Sequence, residues 1–184
     1  IYATAMLLGE HQEEVLIQMS ALKTAPGRFD QLAGPHGKMG IVDYAHTPDA
    51  LENVLKTIQA IRSKNQQIIT VVGCGGNRDA GKRPIMAELA ARYSDVVVLT
   101  SDNPRFEDPE EILNQMEAGI PASSSGKVVR ISDRKSAIFT AIQEKSMPGD
   151  IILVAGKGHE TYQDIQGIKS DFDDKKVISD AFAG

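Results

Sequence analysis

From Gly37 onward the sequence predicts a doubly wound α/β fold, and three observations carry that prediction. Short β-branched apolar runs alternate with amphipathic segments of helical period. The runs are largely apolar along their length rather than alternating, as parallel strands buried on both faces are. Glycine- and charge-rich sequences fall just after four of these runs, where ligands bind in open α/β sheets. The expected architecture is Rossmann-like: a mostly parallel sheet, with helices on both faces, preceded by a short helical remnant of another domain.

Residues Ile1 to Leu8 are apolar and stop at Gly9, and Glu13 to Leu22 places Val15, Leu16, Met19 and Leu22 at helical spacing. Two helices of this size have too little surface for a core of their own. With a start at Ile1 rather than Met, they read as the tail of a preceding domain, residues 1–25, on a chain cut from a longer protein. Pro26-Gly27-Arg28 reads as the hinge into a second unit, residues 26–184. There the expected strands are Met39–Asp43, Ile68–Val72, Val96–Thr100, Val128–Ile131 and Ile151–Val154. The intervening helices are Pro48–Arg62, Pro84–Tyr93, Pro109–Glu117 and Arg134–Lys145. Tyr162–Phe172, centred on Gly167, reads as a hairpin before a last helix, Lys175–Phe182, and Ser123–Ser125 as a loop.

Composition narrows the function. A hydrophobic fraction of 41% with 24% charged residues over 184 residues is that of a folded globular chain with a real core. A net charge of -5 argues against non-specific nucleic-acid binding, which needs a basic footprint. The single cysteine, Cys74, leaves no internal disulfide and no cysteine-based zinc site, and His11, His36, His46 and His159 lack metalloprotease spacing. No apolar run reaches membrane-spanning length and no signal pattern is present, so the expectation is a cytoplasmic protein with neither nucleic acid nor membrane as partner.

Four motifs carry chemistry. Gly76-x-x-x-x-Gly81-Lys82 matches a phosphate-binding loop up to its last position, where Arg83 stands in place of the magnesium-binding Ser or Thr. Gly73-Cys74-Gly75-Gly76 does not complete a dinucleotide fingerprint, because Arg78 occupies the third glycine position. An anion-binding turn suits the run, with backbone N–H groups freed by glycine and charge from Arg78, Lys82 and Arg83. The competing reading is a merely tight turn with Lys82 and Arg83 in solvent. In Asp102-Asn103-Pro104-Arg105, Arg105 offers a forked donor for a carboxylate and Asn103 a third donor, with a helix cap and a surface ion pair as the alternative. Gly156-Lys157-Gly158-His159-Glu160 has glycines for close approach and, in Glu160, an acceptor for an ammonium group. In Asp43-Tyr44-Ala45-His46-Thr47-Pro48, Thr47 caps a helix, Asp43 stands where a ribose could be bound, and His46 is either a ligand or a structural hydrogen bonder. Donors for a carboxylate and an acceptor for an ammonium on one rim suit an amino acid. A stand-alone nucleotide module using the Gly76–Lys82 loop and a non-catalytic amino-acid sensor remain as alternatives.

The ordered set PGRF, DYAHTPDAL, GCGGNRDAGKRP, DNPR and AGKGHE resembles the Mur ligases along essentially the whole chain. That resemblance implies the C-terminal, amino-acid-recruiting domain of an ATP-dependent amide ligase of peptidoglycan precursor synthesis, with the end of a central ATPase domain attached. It implies a diaminopimelate site of Arg78, Asp102, Asn103, Pro104, Arg105, Gly156 and Glu160. There Asn103, Arg105 and Arg78 would grip the distal carboxylate, and Gly156 and Glu160 would receive the distal amino end. Arg28, Asp43 and His46 would reach ATP. The DNPR form goes with meso-diaminopimelate, since lysine-adding relatives differ at the position of Arg105. The remaining partner implied is UDP-MurNAc-L-Ala-D-Glu, bound through other domains. The magnesium ligands and the catalytic groups are likewise expected outside these residues, so the chain alone is expected to be inactive.

Overall fold

The computed structural model describes residues 2–20 and 25–184. Two short helices, α1 (Tyr2–Leu7) and α2 (Gln12–Ser20), open the chain and bury none of their side chains; Leu7 remains 88% exposed. The expected helical positions Ile1 and Leu22 lie outside the described residues. A six-stranded sheet follows, built from β1 (Asp30–Ala33), β2 (Met39–Asp43), β3 (Ile68–Cys74), β4 (Val96–Ser101), β5 (Val128–Arg130) and β6 (Ile151–Ala155). Its order is β1-β2-β6-β3-β4-β5, with β1 antiparallel to β2 and every other pair parallel.

The helices are α3 (Pro48–Ile61), α4 (Lys82–Tyr93), α5 (Pro109–Glu117), α6 (Arg134–Phe139) and α7 (Asp174–Ala183). Successive side chains of a strand point to opposite faces, and here β2, β3, β4 and β6 divide their apolar residues between two cores. Ile68 and Val72 of β3, Val97 and Leu99 of β4, and Ile151 and Leu153 of β6 pack with α3, α4 and α5. Ile69 and Val71, Val98, and Ile152 and Val154 pack with α6 and α7 on the other face. Burial on both sides of β2, β3, β4 and β6 explains why their sequences are nearly continuous apolar runs, whereas β5 at the margin is half-buried throughout. Burial also pushes the Cys74 thiol up to about 12, a packed core residue rather than a reactive one.

Local chemistry sets the helix ends. Thr47 Oγ1 accepts from the Ala50 amide ahead of Pro48, Asp108 caps α5 and Asp173 caps α7. The helix expected over Arg134–Lys145 changes character at its middle, running as a π-helix from Thr140 to Lys145. The wider turn keeps Ala141 and Ile142 in the core, and the Ile142 carbonyl accepts from Lys38 Nζ at 2.8 Å and Ser146 Oγ at 2.6 Å. Ser123–Ser125, expected as loop, falls in a 3₁₀ turn (Ala122–Lys127). Strand β1 was not anticipated; it is four residues long and lacks β-branched side chains.

The connections decide where a ligand can lie. Strand β6 enters last, between β2 and β3. The chain leaves β2 and β3 toward the α3–α5 face and leaves β6 toward the α7 face, so β6 is flanked by crevices where neighbouring connections diverge. After β6 the chain makes the expected hairpin, β7 (Tyr162–Ile165) and β8 (Ile168–Asp171), turning through Gln166 and Gly167 at positive φ.

Candidate functional site

The loops after β2, β3, β4 and β6 and the start of the hairpin enclose a cleft of about 490 Å³. The loop after β4 is its floor. Asn103, 3% exposed, takes two donors on Oδ1, Lys157 Nζ at 2.8 Å and the Asp164 amide at 3.0 Å, and its Nδ2 donates to Glu160 Oε2 at 2.9 Å. Arg105 stands at φ 52°, held by its own backbone: its amide donates to the Asp164 carbonyl at 2.9 Å and its carbonyl accepts from the Gln166 amide. The hairpin therefore aims Arg105. Among the described residues its side chain uses only Nη1, toward the carbonyls of Gly76 at 2.7 Å and Asn103 at 3.5 Å. The Nε and Nη2 hydrogens are left for a ligand.

The glycine-rich loop after β3 packs directly on this floor. A Cβ added at Gly76 would lie 1.9 Å from the Pro104 carbonyl oxygen, so only glycine fits. Gly76→Ala is expected to lower stability by about 1–3 kcal/mol through forced displacement of the loop after β4. Gly126→Ala, with nothing within 4 Å, serves as the neutral control in urea unfolding. Equal midpoints for the two variants would refute the close-packing account.

Arg83 departs from both readings the sequence allowed. It is 1% exposed, bonded to Gln115 Oε1 at 2.7 Å and to the Glu107 carboxylate at 2.9 Å. The Asn77 amide and the Arg83 guanidinium hold Glu107 below the usual carboxylate range. Arg83 is an internal strut between this loop and α5, and the phosphate-loop position it occupies is not open to a ligand. Lys82 instead reaches across the cleft to the His46 carbonyl at 2.7 Å.

Of the ten residues singled out as site candidates, Arg78, Asp102, Asn103, Arg105, Gly156, Glu160 and His46 line the cleft. Pro104 lies in its floor, supplying the carbonyl that receives the Glu107 amide at 3.0 Å. Asp43 and Arg28 do not line it. Asp43 Oδ2 accepts from the Phe29 amide at 2.7 Å, and Arg28 is exposed beside it. The PGRF turn sits against the loop after β6 so closely that a Cβ at Gly27 would fall 2.1 Å from the His159 amide. Tyr44, whose ring lies 4.5 Å from that of His46 and 5.1 Å from that of His159, joins the two rims.

Tyr44, Thr47, Gly75, Asp79 and Tyr162 also line the cleft without having been singled out as ligand-binding residues, and so does Lys82, expected only as a charge on the glycine-rich turn. For Tyr162 the signal was its place at the hairpin start, directly after the AGKGHE run. The lining carries cations (Arg78, Lys82, Arg105) and carboxylates (Asp79, Asp102, Glu160) together, as a zwitterion requires. Among the described residues no cluster of His, Cys, Asp and Glu is arranged to hold a metal ion, and no helix is long and apolar enough to cross a membrane.

Known proteins resemble this chain in sequence and fold. The sequence pattern of the family described as "Mur ligase, glutamate ligase domain" matches residues 27–158. The chain is 56% identical over 183 residues to the UDP-N-acetylmuramoyl-L-alanyl-D-glutamate–2,6-diaminopimelate ligase of Phocaeicola vulgatus, covering all of this chain and 38% of that protein. It is 58% identical over 180 residues to the ligase of the same name from Cytophaga hutchinsonii, covering 98% of this chain and 37% of that one. A solved structure of a ligase of that name superimposes with a TM-score of 0.79 at 41% identity, over 99% of this chain and 36% of the other. MurF ligase from Thermotoga maritima, solved with ADP, shares the fold at a TM-score of 0.60 and 17% identity, over 98% of this chain and 35% of that one. The chain spans little more than a third of these relatives, and the matched stretch runs from the PGRF turn to the loop after β6, the segments that build most of the cleft. It belongs to the Mur ligase family.

Proposed function

We propose that this chain is the amino-acid-recruiting part of an ATP-dependent ligase that adds meso-diaminopimelate to UDP-MurNAc-L-Ala-D-Glu in the cytoplasm. The observation that carries the reading is the cleft's pairing of unspent Arg105 donors with the Glu160 carboxylate across Asn103. The distal carboxylate of diaminopimelate would lie on Arg105 and Arg78, and its distal ammonium by Glu160, Asp102 and the Gly156 turn. Its other amine would then point out of the cleft as the nucleophile. In that reaction ATP is consumed to phosphorylate the D-glutamate carboxylate, the amine attacks the acyl phosphate, and phosphate departs. The part of this chain is to hold the amine in line, an effect of position rather than of acid–base chemistry.

The reading assigns α1 and α2 to the end of a central ATPase domain and residues 26–184 to the recruiting domain. Exposed leucines on α1 and α2 support it, since neither helix buries anything against the sheet. Arg28, Asp43 and His46 would face ATP from the rim beside the cleft. Asp43 keeps Oδ1 for a ribose hydroxyl while Oδ2 holds the Phe29 amide. Magnesium would be held by residues outside this chain. The testing experiment is titration of the protein with meso-diaminopimelate and, separately, L-lysine, following the Asn103 and Arg105 side-chain NMR signals. Shifts with diaminopimelate at concentrations where lysine gives none are expected. An equal response to both would defeat the assignment of Arg105 to a second carboxylate.

A further inference from the structure

Two glycines around Lys157 suggest a backbone that lets a ligand come close, but the geometry does something else. Gly156 at φ 118° and Gly158 at φ 54° turn the chain so that Lys157 points inward and is 0% exposed. Its ammonium lies 2.8 Å from Asn103 Oδ1, 3.4 Å from Asp102 Oδ1, 3.6 Å from Glu160 Oε2 and 5.6 Å from the centre of the Tyr162 ring. We propose that Lys157 is a positioning residue of the amino-acid site: it fixes which way the Asn103 amide faces and holds Asp102 and Glu160 ready for an incoming ammonium group. The proposal rests on the reading of the cleft as the diaminopimelate site.

Three features separate this from a structural ion pair. Arg134 and Asp174, the neighbouring buried pair, meet through two hydrogen bonds of 2.8 Å, whereas Lys157 contacts its carboxylates only at longer range and spends its short bond on an amide. That bond and the Asp164 amide both point at Asn103 Oδ1, so the Asn103 Nδ2 hydrogens must face Glu160 and the cleft. Asp102 Oδ1 is buried with no hydrogen-bond partner among the described residues, which is costly unless something else brings one.

The charges around Lys157 come from every element packed on it. Asp102 lies in the loop after β4, Glu160 in its own loop, Arg134 on α6 and Asp174 on α7. Two cations thus face three carboxylates, and the cluster lacks one positive charge, which a substrate ammonium supplies. Burial pushes the Lys157 ammonium down from the ordinary lysine range, and Asp102 opposes that by stabilising the charge. Remove Lys157, and Asp102 and Glu160 lose the cation that lies 3.4 and 3.6 Å from them.

The test measures diaminopimelate binding to the full-length protein carrying Lys157→Met, with ADP binding as the control. The variant is expected to bind diaminopimelate at least about tenfold more weakly and ADP normally. Binding of 2-aminopimelate, which keeps the distal carboxylate and lacks the distal amine, should weaken less than that of diaminopimelate. A variant with unchanged affinity for diaminopimelate, or with equal losses for the two ligands, would show that Lys157 only packs. In the unmodified protein, the slowly exchanging Lys157 ammonium signal should shift with diaminopimelate and not with ADP. A silent Lys157 beside responding Asn103 and Arg105 overturns this proposal and leaves the cleft assignment standing. No response at any of the three overturns both.

Discussion

Arg105→Ala is expected to weaken diaminopimelate binding roughly a hundredfold, about 3 kcal/mol, while leaving the fold in place. Nε and Nη2 have no protein partner among the described residues, so the free protein loses only the Nη1 bonds to the Gly76 and Asn103 carbonyls. The interactions that dock this position on the hairpin are backbone ones and survive the substitution: Arg105 amide to Asp164 carbonyl, Gln166 amide to Arg105 carbonyl. Selectivity should collapse with affinity. A distal carboxylate beside an alanine has lost its charge-assisted donors, whereas lysine, with no such carboxylate, loses nothing and is relieved of a half-buried guanidinium that has no anion to meet. Competition between the two amino acids in a binding assay reads both effects. An Arg105→Ala protein that still prefers diaminopimelate by the original factor would place the carboxylate elsewhere, Arg78 being the remaining cation on that side.

The second large effect concerns stability. Arg134 and Asp174 are both fully buried, joined by the Arg134 Nε and Nη2 bonds to the two carboxylate oxygens at 2.8 Å. Arg134 also donates to the Ala155 carbonyl at 3.1 Å and the Ser101 carbonyl at 3.4 Å, the last residues of β6 and β4. The pair therefore ties the first turns of α6 and α7 to the carboxyl edge of the sheet, directly beneath the cleft. Asp174→Ala strands a guanidinium in the interior and should cost about 3–5 kcal/mol in urea unfolding. Arg134→Met with Asp174→Leu, which removes both charges, should recover most of that loss. If the double variant is as unstable as the single one, packing and not the uncompensated charge dominates.

Four of the parallel strands, β2, β3, β4 and β6, were legible in the sequence because burial on two faces leaves little room for polar residues; the half-buried edge strand β5 was legible from its β-branched side chains alone. Pro48 and Pro109 at helix starts made α3 and α5 legible nearly to the residue. β1 was not legible. Asp30-Gln31-Leu32-Ala33 alternates half-buried and exposed positions and lacks β-branched side chains; it is a strand because β2 needs a partner on that side. The site was legible as four loops, since the fold class places strand ends together. The interior charges were not. Arg83, Arg134 and Lys157 look like surface residues until tertiary structure supplies the carbonyls, carboxylates and amides that surround them. Asn103 illustrates the same limit: its donor role was expected, but the donors that hold its oxygen come from residues 54 and 61 positions away.

Both margins of the sheet also bear on how copies of this chain behave when crowded. At one margin β1 is four residues long, stops at Gly34-Pro35, and has its Asp30 carboxylate committed to the Gly27 amide and Lys175. At the other, β5 is three residues long and ends on Arg130, whose guanidinium is clamped by Glu110 and Glu117. Neither presents a long, flat row of unpaired peptide groups on which a neighbouring chain could add a strand. The long, apolar strands that would be the most dangerous templates for aggregation, β3 and β6, lie in the middle of the order and are paired on both sides. With its most adhesive segments innermost, the folded sheet offers no template for strand addition, and only partial unfolding would expose the segments from which fibres grow.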